Sequence, residues 1–313
     1  MHIRYFAGDE ADRRFVAAAL ADEAYQQNYH ERSNLEAMRR SALAIATSSM
    51  VRQVPAGVSV TSATIAGVPC EWLIAEGADM SRLIVYLHGG GFVRGHLALQ
   101  RANAALIAQA AGTPVLAIGY RQAPEHPFPA AMDDVVAVHA HLLESEGWPP
   151  GALTVVGESS GGCLALGLAV HLAELGALDR QPAGIGAVSP MVDLSLSGAS
   201  WHYNARRDVA DLDTGRRLVD MYLAGASASL PRASPVRHDF VGCCPVLISA
   251  GSHETMLSDA EFLARKAADA GTDVELHVHE AMPHGFTRFD TPIAREALVA
   301  VAHWCAMRSR GRR

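Results

Sequence analysis

Three short stretches of this 313-residue chain carry residue types that together suit attack on a carbonyl carbon. In Gly157-Glu158-Ser159-Ser160-Gly161 a serine stands between two glycines at the spacing Gly-x-Ser-x-Gly. At a sharp strand-to-helix turn this spacing holds the serine in a strained backbone conformation and pushes its hydroxyl out above the sheet. Neighbours bulkier than Gly157 and Gly161 would collide there. Serine is a poor nucleophile unaided, so a base must take its proton as the carbonyl is attacked. Among fifteen histidines His284 stands apart, because Met282-Pro283-His284-Gly285-Phe286 follows the last expected strand. His277 and His279 fall within or at the end of that strand. The third stretch is His88-Gly89-Gly90-Gly91-Phe92, whose consecutive glycines let backbone N–H groups face a cavity and approach a ligand closely.

Such groups need a sheet whose strands end along one rim. Leu153-Thr154-Val155-Val156 is a β-branched run into the serine, and Cys163 to Val170 is an almost wholly apolar helix out of it. Upstream, strands over Leu83–Leu87 and Pro114–Gly119 alternate with helices over Leu97–Ala111 and Ala130–Leu143. Downstream come strands at Gly184–Val188, Pro245–Ser249 and Val274–Val278, with helices at Leu257–Ala270 and Ile293–Met307. This alternation predicts an α/β fold: a mostly parallel sheet flanked by helices, with right-handed crossovers and chemistry at the carboxyl ends of the strands. Val58–Ile65 and Cys70–Ile74 read as an antiparallel pair around Ala66-Gly67-Val68-Pro69.

Two segments stand outside that rhythm. From about Glu10 to Met50 apolar residues recur at helical spacing, as in Phe15, Val16, Ala19 and Leu20, then Leu35, Met38 and Leu43. Residues 195–241 interrupt the alternation and are partly helical, notably Thr214–Leu223. The expected organisation is one core of residues 56–194 and 242–313, with 1–55 a helical cap segment and 195–241 an inserted lid. Trp201, Tyr203, Met221 and Tyr222 in the insertion, and Phe92 beside the glycine run, are candidate pocket walls. Periodicity alone equally allows the first four to be the insertion's own small core.

Half the residues are apolar, enough for a sizeable core. A formal net charge of −7 supplies no basic face for nucleic acid. Only the tail Arg308-Ser309-Arg310-Gly311-Arg312-Arg313 is strongly basic, and it reads as a solvated terminus that favours the end of the last helix. Five cysteines, two of them adjacent at Cys243-Cys244, show neither metal-ligand spacing nor a disulfide framework, so a reducing cytoplasm and no metal are expected. The early residues lack the order of a signal peptide, and no apolar run reaches the length of a membrane span. The serine turn has neither the lysine of a phosphate-binding loop nor the Gly-x-Gly-x-x-Gly of a dinucleotide site, and no cofactor is expected.

Taken together, five pieces run in the order of the hormone-sensitive-lipase-like α/β-hydrolases, bacterial carboxylesterases with an N-terminal cap. They are His88-Gly89-Gly90-Gly91; Tyr120-Arg121-Gln122-Ala123-Pro124-Glu125 leading to Pro129-Ala130-Ala131-Met132-Asp133-Asp134; Gly157 to Gly162; Gly251-Ser252-His253-Glu254; and His284-Gly285-Phe286. The chain resembles that family over nearly its whole length. The resemblance implies Ser159 as nucleophile, His284 as general base and then acid, and Glu254 as the group orienting the imidazolium. It also implies an oxyanion hole from the N–H groups of Gly89, Gly90 and Ser160, with His88, Gly91, Gly157, Glu158 and Gly161 supporting the motifs. Two motifs depart from the usual pattern: Glu158 and Ser160 replace the Asp and Ala of Gly-Asp-Ser-Ala-Gly-Gly, and Glu254 stands where Asp is commoner. Asp259 and Asp193 stay open as alternative acids. Asp133 and Asp134 read as loop and helix-terminus anchors, and Cys163 as a small buried apolar residue.

The activity so implied is hydrolysis of short- to medium-chain carboxylic esters through an acyl-enzyme, with a small-molecule ester as the partner. Lactonase, deacetylase and amidase action share the triad. A non-catalytic binder like the gibberellin receptors lacks the histidine that this chain keeps at 284, and an epoxide hydrolase or dehalogenase would carry Asp at 159. Homodimers through the last strand and helix are common among similar proteins, and nothing in these residues establishes one here.

Overall fold

Apolar runs too short for helices build the sheet, and in the computed structural model, which describes residues 1–31 and 34–311, nine strands join. They are β1 (His2–Ala7), β2 (Val58–Ile65), β3 (Val68–Ala75), β4 (Leu83–Leu87), β5 (Val115–Ile118), β6 (Leu153–Glu158), β7 (Ile185–Val188), β8 (Val246–Gly251) and β9 (Val274–Glu280). Their spatial order is β1-β9-β8-β7-β6-β4-β5-β3-β2. The β2–β3 and β3–β5 pairs are antiparallel and all the others parallel. The pairing of β4 with β6, Leu87 opposite Gly157, decides the site's layout. It sets the glycine run after Leu87 beside the serine after Glu158.

The helices are α1 (Glu10–Ala21), α2 (Glu23–Tyr29), α3 (Leu35–Ala46), α4 (Leu97–Ala111), α5 (Ala130–Glu144), α6 (Ser160–Glu174), α7 (Ser200–Tyr203), α8 (Leu212–Leu223), α9 (Leu257–Asp269) and α10 (Pro292–Arg308). Successive residues of one strand point to opposite faces. Accordingly Ile84 and Tyr86 join Val156 and Leu247 in a core closed by α4 and α10. Val85 and Leu87 join Leu116, Val155 and Ile248 in the core beneath α5, α6 and α9. Each large side chain so buried contributes roughly 1.5–3 kcal/mol.

The helical segment expected over 1–55 begins instead with a strand. β1 lies parallel to β9, from His2 opposite Glu275 to Ala7 opposite Glu280. Its alternation is outside the helical count that begins at Glu10, and one of its faces leaves Ile3 and Tyr5 exposed. Because β1 covers β9, the last strand is not an edge and offers no free ladder to a second copy of the chain. The helices that follow are held to the core by arginines. Arg39 is bidentate on Glu125, at 2.8 Å for each oxygen. Buried Arg52 donates to Asn103 Oδ1 at 3.0 Å and to the carbonyls of Thr287 and Phe289 at 3.1 and 3.0 Å.

Among the described residues, no helix is long and apolar enough to cross a membrane. At the basic tail, Arg308 pairs with Asp273 at 2.7 Å at the end of α10. Arg312 and Arg313 lie outside the described residues.

Candidate active site

Ser159 sits between β6 and α6 with φ 54° and ψ −117°, a conformation that costs energy for a side-chain-bearing residue. Its surroundings hold it there. Its N–H donates to Val188 O at 2.9 Å, and its carbonyl accepts from Cys163 and Met191, each at 3.1 Å. A Cβ at Gly157 would run into the Gly161 carbonyl, and one at Gly161 into the Leu87 carbonyl. These glycines therefore serve close backbone packing between strand, helix and the neighbouring strand.

Ser159 Oγ lies 3.0 Å from His284 Nε2, and His284 Nδ1 faces Glu254 Oε2 at 3.4 Å. Glu254 stands just after β8 and His284 just after β9. Gly251 lets the two loops meet, since any Cβ there would strike the Met282 carbonyl. The other oxygen of Glu254 accepts from Ser189 Oγ and from the Gly251 N–H, each at 2.6 Å. Burial pushes the Glu254 carboxyl above the ordinary range, and the His284 and Ser189 hydrogen bonds pull it back. The alternative acids are engaged elsewhere. Asp193 accepts from Ser195, Ser197 and Arg237, and Asp259 accepts from Trp201 Nε1 at 3.2 Å.

The glycine run needs one correction. The Gly89 N–H does not face the cavity as a free donor, because Gln100 Oε1 takes it at 2.6 Å. Among the described residues, the N–H groups of Gly90, Gly91 and Ser160 have no protein acceptor. Gly90 has φ 123°, and a Cβ there would overlap the backbone of Gly95. His88 is buried and stacks on Tyr120 at 4.2 Å, with Nδ1 2.9 Å from Gly89 O. Burial lowers its pKa to about 4, so it shapes the loop as a neutral ring. A hydroxyl, an imidazole, a buried carboxylate and open backbone donors thus converge on one point. Chemically, that suits nucleophilic attack on a carbonyl with a stabilised oxyanion.

A family model described as the alpha/beta hydrolase fold matches residues 84–288. The chain belongs to the α/β-hydrolase family. It is 37% identical to an acetyl-hydrolase of Streptomyces hygroscopicus over 268 residues, 85% of this chain and 87% of that protein. It is 32% identical to an esterase of Acinetobacter venetianus, covering 79% of this chain and 82% of that one. The crystal structure of an esterase from the bacterial hormone-sensitive lipase family superposes with a TM-score of 0.88 at 30% identity, covering 96% of this chain and 99% of that one. The resemblance drawn from the motifs is to the same branch of the α/β-hydrolases.

In this α/β-hydrolase the reacting groups open into a cavity of about 910 Å³ counted out to its mouth. Of the five candidate wall residues, only Trp201 lines it. Phe92 and Tyr222 are buried and stacked on each other at 3.8 Å, Met221 is half-buried against the core, and Tyr203 is 55% exposed. Helical phase explains the difference. α8 turns Thr214, Gly215 and Leu218 to the cavity, and Tyr222, one turn beyond Leu218, falls over Phe92 instead. Ala42, Ile45 and Ala46 of α3 form the opposite wall, with Met191 and Met256 deeper on the lid side.

Glu158 is buried beneath the serine. It accepts from Gln100 Nε2 and Asn103 Nδ2, each at 3.0 Å, from Thr287 Oγ1 at 3.1 Å, and from the Tyr86 hydroxyl. The carboxylate therefore ties β4, α4 and the histidine loop together. Asp134 likewise anchors Arg121, accepting from its N–H at 2.8 Å.

Sequence reasoning missed Asp208, which lies in the lid without a motif around it. Its Oδ1 accepts from the His284 N–H at 2.7 Å. Its Oδ2 accepts from the Thr255 N–H at 2.6 Å and from Thr255 Oγ1 at 2.9 Å. Asn204 Nδ2 adds bonds to the carbonyls of Ser252 and Glu254, at 3.0 and 2.9 Å. The lid thus braces both loops that carry the acid and the base. In Asp208→Asn an amide N–H₂ must face one of these donors. We expect kcat to fall about 10- to 100-fold with KM little changed, because small misplacements of reacting groups are costly. Steady-state kinetics with a thermal melt would check this, and an unaltered kcat would refute the bracing role.

Burial pushes the Asp259 carboxyl up to about 7, with the Asp193 charge adding to it. As pH rises from the ordinary carboxylate range to 7, the unfolded chain releases a proton that the folded chain retains. Folded stability therefore falls across that window, by roughly a few kcal/mol from this group. Asp259→Asn should flatten the dependence. Melting temperatures from pH 4 to 8 should decline less in the variant than in the parent, and parallel profiles would contradict the assignment.

Proposed function

We propose that the chain is a serine carboxylesterase hydrolysing short- to medium-chain esters of small molecules through an acyl-enzyme. One observation carries the reading: Ser159 Oγ, His284 and Glu254 stand in line at 3.0 and 3.4 Å at the foot of the cavity. Ser159 attacks the ester carbonyl while His284 Nε2 takes its proton. The N–H groups of Gly90, Gly91 and Ser160 hold the oxyanion. The imidazolium, steadied by Glu254, then protonates the departing alcohol. Water repeats the sequence on the acyl-enzyme. No cofactor enters these steps.

Residues 10–55 and 195–241 act as a two-part cap over the core, supported by the walls that α3 and α8 give the cavity. Five unpaired cysteines fit work in the cytoplasm. A homodimer joined through sheet edges would meet at β1 or β2, since β9 is covered. The acetyl-hydrolase relative makes acetyl esters the first substrates to try. The test is rapid mixing with p-nitrophenyl acetate, alongside a lactone and an anilide. A stoichiometric burst of p-nitrophenol, and labelling of Ser159 by a fluorophosphonate located by peptide mapping, are expected. Labelling elsewhere would overturn the assignment.

A further inference from the structure

Two arginines share the cavity with Ser159 and His284, and the hydrolytic mechanism uses neither. Arg94 closes the glycine loop, and Arg288 follows His284 in the loop that carries the base. They flank the reacting centre on the side walled by α2 and α3. Arg94 donates to Tyr29 O at 2.9 Å and lies over the Tyr29 ring, 4.9 Å from its centroid. Arg288 Nε donates to Gly285 O at 3.1 Å. Among the described residues, neither guanidinium reaches a carboxylate within ion-pairing distance, in contrast to Arg39, Arg101 and Arg121. The Arg288 guanidinium faces the Tyr25 hydroxyl, and among the described residues its outer nitrogens meet no carboxylate, while its side chain lines the cavity.

The acids nearby are already committed. Asp211, also on the wall, caps α8 by accepting from Thr214 N and Oγ1 at 2.9 and 2.6 Å, and it lies 3.2 Å from His30. Glu158 is below the floor, saturated by the four side chains named above. The lid side of the same cavity is lined by Met191, Trp201, Leu218 and Met256, with no cation among them. The cavity is therefore polarised, cationic toward the N-terminal helices and, apart from the committed Asp211 and Thr214, apolar toward the lid.

Resting on the esterase reading, we propose that the natural substrate is an anionic ester. Its small apolar acyl group lies toward the lid, and its alcohol portion bears a carboxylate or phosphate held by Arg94 and Arg288. Guanidinium forks match both oxyanions and bind them more strongly in a partly desolvated site than in water.

The test compares 4-acetoxybenzoate and 4-acetoxyphenyl phosphate with neutral 4-acetoxybenzamide. At low salt, kcat/KM should favour at least one anion over the amide by about tenfold or more, mainly through KM, and salt should erode the preference. Which anion is preferred names the class. Arg94→Gln and Arg288→Gln should each reduce the anion-to-amide ratio about tenfold, with Arg94→Lys retaining part of it. Should Arg288→Gln fail to fold, Arg94→Gln on its own decides. Equal handling of the three esters, or a ratio unmoved by the substitutions, would overturn the proposal. Calorimetric binding of the intact esters to Ser159→Ala gives the same comparison without turnover. Loss of esterase activity alone would therefore sink the catalytic reading, while equal binding of anion and amide would sink this one.

Discussion

Ser159→Ala is expected to lower kcat toward p-nitrophenyl acetate by about 10⁵–10⁶, the scale seen when a serine nucleophile is removed from a working triad. The burst should vanish with it. The fold has little reason to suffer, because among the described residues the hydroxyl bonds only to His284 and the constraints on the turn come from its backbone. A melting temperature within a few degrees of the parent, together with the lost rate, would separate chemistry from stability. The residual rate should still exceed the uncatalysed one, since the N–H groups of Gly90, Gly91 and Ser160 are untouched. A variant retaining a tenth of parental turnover would remove Ser159 from the mechanism.

Glu254→Gln should cost about 10⁴ in kcat, and its cause can be traced to single atoms. Glu254 Oε1 already accepts two short bonds, from Ser189 and from the Gly251 N–H. In glutamine the carbonyl oxygen must keep those donors, which turns the amide N–H₂ toward His284 Nδ1. The ring must then carry its proton on Nε2, where it cannot accept one from Ser159. Binding should change little, so the loss should fall in kcat and not in KM. Asp259→Asn is the control, expected to stay within severalfold of the parent. If Asp259→Asn lost the larger share of turnover, the acid would have to be reassigned.

The parts of this site that sequence alone made legible were those with a local physical signature. Gly157, Ser159 and Gly161 fit a turn that few other residues tolerate, and the β4 and β6 runs have a burial pattern only a central strand satisfies. What stayed hidden depended on elements that the motifs themselves do not contain. The Gly89 N–H is engaged because Gln100, on α4, reaches back to it. Tyr222 is of a type suited to a pocket wall, yet the phase of α8 sends it to Phe92. β1 is exposed on most of its residues, so it lacks the apolar run that marks the interior strands. Asp208 carries no pattern at all, and its role exists only because the loops after β8 and β9 both meet on it.

That meeting bears on how the enzyme can be remodelled. Exchanging the 195–241 segment for that of a relative, in order to alter substrate size, would also exchange Asn204 and Asp208. A chimera that omits both should gain room yet turn over slowly, and restoring the pair on the foreign graft should recover speed without narrowing the opening. Breadth of substrate and rate are thus inherited together here, through two polar side chains that need never touch the molecule being cleaved.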